Sequence, residues 1–270
     1  MSRPSSEAST YQSLRGQLSY LRLAAAAEAL PAELERSAKD SHTAFLHRLL
    51  EVEVTATEAR RHDSLERFAR LPAPWRLEDF DFDAQPSVDG AMVRELASLR
   101  FLDDATNVLL VGPPGVGKTM LAVILGRAAI DAGYRTYYTT AAELAARCHK
   151  AALEGRWATT MRFFAGPRLL IVDEVGYLPL ASEAAAALFQ VVSQRYLKGS
   201  ICLTTNLAVG SWGQAFADPM VAAAMLDRLL HRSVVFNITG ESYRMRAHRA
   251  RAEALRPTGA GGRGASPKSP

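Results

Sequence analysis

The chain has 270 residues, 48 % of them hydrophobic and 22 % charged, with a net charge of +4; this is the balance of a globular protein with one large domain and one small, and it excludes disordered and fibrous classes. No apolar stretch approaches the ~20 residues of a membrane helix, the N-terminus lacks the apolar centre of a signal peptide, and Cys148 and Cys202 have no metal-ligand spacing, so a reducing cytoplasm fits. Residues 228–270 hold nine Lys and Arg against two Glu, a basic end suited to polyanions.

Residues 1–10 are polar. Over residues 11–30 the spacing of Leu14, Leu18, Leu21 and Ala25 predicts an amphipathic helix, closed by Pro31. A second helix is expected over residues 42–61, with Phe45, Leu46, Leu49, Leu50, Val52 and Ala56 on one side. Leu65, Phe68 and Leu71 continue the rhythm as far as Pro72. These elements make a small all-helical N-terminal domain, residues 1–72. Arg60 and Arg61 lie in a basic cluster at its end, either a phosphate-backbone contact or a solvated helix face. The linker over residues 72–86 carries Trp75, Leu77, Phe80 and Phe82, apolar side chains that must dock on the following core or line an adenine pocket. Val93, Leu96 and Leu99 mark the helix that follows.

Residues 107–111 are an apolar, β-forming run that reads as a buried strand. Gly112, Pro113, Pro114, Gly115, Val116, Gly117, Lys118 and Thr119 then fill the pattern G-x-x-x-x-G-K-[ST], with Met120 next. Leu121, Ala122, Ile124, Leu125, Ala128 and Ala129 recur at helical spacing and Gly133 stands where a C-terminal cap belongs. Strand, glycine-rich loop and helix together form a phosphate cradle. Glycines let successive N–H groups turn inward on the anion, and the new helix aims its positive end at it. Lys118 reaches the β- and γ-phosphates of ATP and the Thr119 hydroxyl ligates Mg²⁺ in this reading.

Residues 136–140 read as a second strand. A helical pattern over residues 141–155 carries Arg147, His149 and Lys150, followed by Arg156, Trp157 and Arg162; basic groups beside an aromatic suit either a nucleic-acid contact or a solvated face. Leu169, Leu170, Ile171 and Val172 make a buried strand with Asp173 and Glu174 at its carboxyl end, where open α/β sheets hold their ligands. Asp173 is placed to hold Mg²⁺ and Glu174 to orient or deprotonate the attacking water. Ser182 begins a helix that runs through Tyr196 and ends at Gly199. Residues 201–203 are a further strand, with Thr204, Thr205 and Asn206 at its end. Residues 233–238 are the last strand, residues 239–244 start a short basic helix, and residues 257–270 form a Gly- and Pro-rich disordered tail. The ATPase domain therefore spans residues 73–256, a parallel α/β sheet flanked by helices.

These stretches together resemble the AAA+ ATPases with their phosphate loop, and among them the IstB-like transposition helpers of insertion sequences, relatives of the DnaC-type helicase loaders. The likeness rests on residues 20–30, 77–82 and 93–96, and more specifically on residues 173–180, 204–207, 226–231 and 240–244. It implies that Asn206 senses the γ-phosphate, that Arg228 is an arginine finger reaching a neighbouring subunit's nucleotide, and that Arg244 is a second sensor at the nucleotide. Residues 141–164 match a helical insertion that faces DNA in initiators and loaders. The family implies ATP-bound homo-oligomers on duplex DNA that recruit a partner transposase and hydrolyse ATP as a switch. Val116 and Thr204 depart from the pattern.

The leading reading is thus a DNA-bound ATPase that helps a transposase capture its target. A DnaC-like replicative helicase loader shares the whole core and is separated only by its N-terminal domain. A small-molecule kinase needs an acceptor pocket and an arginine-rich lid, which the stretch ending at Asn206 fits poorly. An adaptor without turnover has no need of Glu174.

Overall fold

A computed structural model describes residues 6–36, 40–176, 182–216, 218–243 and 245. The chain divides into two compact units, Met1–Phe68 and Ala69–Pro270. Residues 177–181, the side chain of Ser182, Arg244 and the 257–270 tail lie outside the described residues.

The first unit is helical: α1 (Ser6–Tyr20), α2 (Ala24–Arg36) and the long α3 (His42–Ala69). The single helix expected over residues 11–30 is in fact two. Arg22 takes a left-handed φ of 61°, and the Leu23 and Arg22 amides donate to the carbonyls of Leu18 (2.9 Å) and Ser19 (3.0 Å). This closure ends a helix without glycine at the left-handed position. Pro31 does not end α2 but lies inside it. An interior proline costs ~3 kcal/mol, offset here because Ala26, Ala27 and Leu30 of the same helix are buried with Leu18 and Leu49. The Ala26 amide at the start of α2 donates to Glu53 Oε2 at 3.0 Å, so a carboxylate of α3 caps α2 from across the unit. Residues 42–69 are one helix rather than a helix with a trailing rhythm.

In the second unit the linker contains a short 3₁₀ turn, Leu77–Asp79. Its aromatic side chains do dock: Phe80 is buried in the main core, and Trp75, Leu77 and Phe82 pack against it. Helix α4 (Gly90–Ala97) follows, capped by Asp89, whose Oδ1 accepts from the Ala91 and Met92 amides. The chain then alternates: β1 (Asn107–Val111), α5 (Lys118–Asp131), β2 (Thr136–Thr140), α6 (Ala141–Leu153), α7 (Trp157–Ala165), β3 (Leu169–Val175), α8 (Ser182–Arg195), β4 (Ser200–Thr205), α9 (Trp212–Ala215), α10 (Pro219–Leu230) and β5 (Ser233–Asn237). The strands form one parallel sheet in the order β2-β3-β4-β1-β5. Every residue of β1 and β4 is buried, as expected when helices cover both faces. Helix α5 lies against β1, β2, β3 and β4 together with α4, while α6, α7, α8 and α10 pack on one another.

Three local expectations shift. Strand β4 is longer than its apolar residues suggest, because Thr204 and Thr205 pair with Leu110 and Val111 of β1 and are buried. Helix α8 stops at Arg195, where Leu197 with φ 58° turns the chain before Gly199. That early stop frees Arg195, only 1 % exposed, to donate to the carbonyls of Phe164 (2.9 Å), Pro167 (2.8 Å), Arg168 (3.1 Å) and Ser200 (2.8 Å). Burial pushes this guanidinium down to about 10. Residues 239–242 are irregular, and helix begins only at Tyr243.

Candidate nucleotide site

Strand β1 lies inside the sheet, between β4 and β5, so the loop that follows it opens within the carboxyl edge. The loop's conformation explains its glycines. Gly115 and Gly117 have φ of 83° and 99°, values that side chains rarely adopt. Neighbours also press on them: a Cβ on Gly117 would meet the Phe80 ring at 2.9 Å, and one on Gly115 would meet Ser242 Oγ at 2.1 Å. The loop is fastened on its outer side by four bonds. Gly112 N donates to Thr205 O (3.1 Å), Ile238 N to Val111 O (2.7 Å) and Tyr243 N to Gly115 O (2.9 Å), and Gln85 Nε2 donates to Val116 O (3.1 Å). Lys118 Nζ donates to the Gly112 and Pro113 carbonyls at 2.7 and 2.8 Å, folding the cation back over its own loop.

Beside the loop opens a cavity of about 300 Å³, lined by Trp75, Phe80, Gln85, Met120, Tyr243 and Glu241 among others. It joins an apolar, aromatic wall to the phosphate cradle, the combination a nucleotide requires. Gly115, Val116, Gly117, Lys118 and Thr119 line it as well. Pro113 and Pro114 are in the same loop outside that lining, and Arg244 lies outside the described residues.

Strand β3 delivers the acids through an irregularity. Its pairing with β4 slips between Val172 and Val175, which oppose Leu203 and Thr205, so β3 carries one residue more than its partner over this stretch. Such a bulge re-aims side chains. Asp173 turns inward and is 3 % exposed; Glu174 turns to solvent with a left-handed φ of 61°. Three hydroxyls converge on the Asp173 carboxylate. Thr119 Oγ1 lies 3.0 Å from both oxygens, Tyr138 OH donates to Oδ2 at 2.6 Å, and Thr204 Oγ1 donates to Oδ1. The Glu174 amide in turn donates to Thr204 Oγ1 at 3.0 Å. Hydrogen bonds to a charged acceptor contribute ~1.5–3 kcal/mol each, which keeps a buried carboxylate tolerable. Burial first, and the hydrogen bond to the Asp173 carboxylate second, push the Tyr138 phenol far above its usual range, so it stays protonated and donates. Thr119 and Asp173 face one another as hard oxygen donors, a set whose chemistry fits Mg²⁺.

The other expected residues lie apart from this cluster. Asn206 follows β4 directly and is exposed. Arg228 is half-buried on α10: its Nη1 donates to Ala224 O at 2.9 Å and its guanidinium lies over the Phe189 ring of α8 at 4.9 Å. Arg147 of α6 stacks on Phe163 at 3.6 Å and donates to Tyr137 OH at 3.3 Å. Lys150 and Arg156 share the Glu154 carboxylate. In the helical unit Arg60 pairs with Glu53 at 2.7 Å, and Arg61 also has a partner.

Sequence reasoning missed Tyr138, Thr204 and Gln85 as parts of the site. The signal for the first two was positional: each sits on a strand that flanks the one ending in Asp173. Gln85 gave no signal, since its amide reaches the loop only through the fold of the linker.

The family model described as IstB-like ATP binding protein matches residues 15–252. The putative ATP-binding protein of insertion sequence IS5376 from Geobacillus stearothermophilus is 46 % identical over 213 residues, covering 79 % of this chain and 85 % of that one. The corresponding IS21 protein of Pseudomonas aeruginosa is 44 % identical over 218 residues, covering 80 % and 82 %. Among solved structures, AMPPCP-bound DnaA from Aquifex aeolicus superposes with a TM-score of 0.54 at 20 % identity, over 68 % of this chain and 56 % of its own. DnaI does so with 0.53 at 15 % identity, over 62 % and 92 %. These two likenesses show the fold, a parallel sheet flanked by helices.

Proposed function

The chain belongs to the family of IstB-like ATP-binding proteins of insertion sequences, and on that premise we propose that it is an ATP-dependent transposition helper that assembles on duplex DNA, recruits a partner transposase and uses ATP hydrolysis as the release switch. The observation that carries the reading is the convergence of Lys118, Thr119, Asp173 and the solvent-facing Glu174 at one sheet edge beside an aromatic cavity. Thr119 and Asp173 would hold Mg²⁺, which would supply neutralisation of the phosphate charge. Lys118 exchanges its loop carbonyls for phosphate oxygens. Glu174, free of the carboxylate cluster, orients water and takes its proton. A base attached to the sugar has Phe80 and Trp75 to rest on.

Arg228 and Asn206 are proposed as the groups that read the γ-phosphate, the first across a subunit boundary of a homo-oligomer. Arg147, Lys150, Arg156, Arg60 and Arg61 are the proposed DNA contacts. Each already has a partner in the chain, so DNA binding would exchange one set of partners for phosphates and should weaken steeply with salt.

The experiment is a co-sedimentation of the full chain, duplex DNA and an insertion-sequence transposase of the IS21 type, with and without Mg²⁺-ATP. The parent should carry transposase to DNA only with nucleotide. Lys118→Ala should not, and ATP at 100 times its Kd should raise the parent's stability by ~2.7 kcal/mol but leave that variant's melting point in place. Glu174→Gln should assemble and fail to release. Equal recruitment with and without ATP, by parent and Lys118→Ala alike, would overturn the proposal.

A further inference from the structure

Among the described residues, strand β2 is an edge of the sheet and pairs with β3 alone. Its central residue nevertheless takes part in the site. Tyr138 stands opposite Ile171, while Asp173 is opposite Thr140, two residues further along. The phenol therefore leans along the strand direction and across onto the neighbour's acid, where it donates to Oδ2 at 2.6 Å. From the other side, Thr204 of β4 donates to Oδ1. Each carboxylate oxygen thus has one donor fixed by a strand. The third donor, Thr119, sits midway at 3.0 Å from both oxygens.

These three donors are not equivalent. Thr119 opens a helix next to the phosphate cradle, and its hydroxyl is needed by the cation once nucleotide is bound. Tyr138 and Thr204 remain. Together they fix the plane of the carboxylate, with the face toward Thr119 left for the cation. A tyrosine suits the edge position because its rigid ring spans the gap with two torsions, and an O–H donor to a carboxylate at this distance is in the strong range. The Tyr138 hydroxyl donates to Asp173, while its ring packs against the main core.

From this arrangement we propose that Tyr138 is a positioning residue for the metal, which holds Asp173 in the orientation that binds Mg²⁺ and so sets how much the cation tightens nucleotide binding. The inference rests on the reading of Thr119 and Asp173 as the metal's partners. Donors behind a metal ligand commonly govern affinity ~10- to 100-fold.

The test uses Tyr138→Phe, which removes one oxygen and keeps the ring, in the full chain. Binding of a fluorescent ATP analogue is titrated first in EDTA and then against rising Mg²⁺. In EDTA, parent and variant should bind alike. With Mg²⁺ the parent should tighten, and the variant should need ~10-fold more cation for the same gain. Mn²⁺ binding followed by electron paramagnetic resonance in the presence of nucleotide should show the same offset. If the parent itself shows no dependence on Mg²⁺, the metal reading of Thr119 and Asp173 fails. If the parent depends on Mg²⁺ and the two curves coincide, that reading stands and the role of Tyr138 is refuted. An equal loss of affinity in EDTA and in Mg²⁺, with a lowered melting point, would make the tyrosine a structural residue only and would also overturn the inference.

Discussion

Thr204→Val isolates a single oxygen at the centre of the site. The hydroxyl is buried, 1 % exposed for the residue, so water cannot take its place. It has two partners, donating to Asp173 Oδ1 and accepting from the Glu174 amide. Loss of a donor to a charged group costs ~1.5–3 kcal/mol and loss of the backbone partner ~0.5–1.5 kcal/mol. The added methyl returns ~0.8 kcal/mol of burial. A net destabilisation of ~2.5 kcal/mol follows, which for a unit of this size lowers Tm by roughly 5–10 °C. The neighbouring Thr205→Val is the control. Thr205 is equally buried, but among the described residues its hydroxyl accepts from the Leu207 amide alone, at 3.0 Å, so with the same methyl gain the net loss should be about 0.2 kcal/mol. Thermal unfolding of both variants without nucleotide, followed by circular dichroism, decides the matter. Equal losses, or a Thr204→Val shift of a degree or less, would mean that the hydroxyl does not hold the carboxylate.

Two further outcomes are expected. Mixing Arg228→Ala with Lys118→Ala subunits should restore ATPase activity that neither has alone, since arginines supplied in trans contribute ~10³- to 10⁵-fold in other phosphate-loop enzymes; a mixture that co-assembles on DNA and stays inactive would rule out a trans finger. In the helical unit the Ala26 amide, outweighing the opposing effect of burial and helped by Arg60 and Thr57, holds the Glu53 carboxyl below its usual 4.5. A depressed folded pKa stabilises above the unfolded value and is lost as pH falls through the folded one. Glu53→Gln should therefore be less stable than the parent at pH 7, and the gap should close at acid pH; parallel urea midpoints from neutral to acid pH would contradict this.

The parts of the fold that were readable in the sequence are those written locally. The phosphate loop needs its residues in one unbroken run, and residues 107–111, 136–140 and 169–172 announce themselves as β-forming stretches, the last with two acids at its end. The join between α1 and α2 was not readable, because it depends on Arg22 accepting a left-handed φ that sequence patterns reserve for glycine, and on a core that tolerates Pro31. Nor could β4's true length be read: Thr204 and Thr205 look like loop residues until the ladder to β1 pairs them. The same blindness hid Tyr138. Its alternation marks a strand, but only the register with β3 and the bulge at Asp173 bring its hydroxyl to the acid.

Arg195 gives the sheet an anchored end. Its carbonyl partners lie at the end of α7, just before β3 and at the first residue of β4, whereas Asp173 and Thr204 stand at the opposite ends of those two strands. One side chain thus clamps the starts of β3 and β4 through a planar fork of donors that lysine cannot imitate. Because the clamp joins a cation to carbonyl dipoles within the protein, salt has little hold on it. Local opening should accordingly begin at the carboxyl edge and die out toward this clamp. In mechanical terms the clamp is the fixed root from which β3 and β4 run toward the phosphate loop.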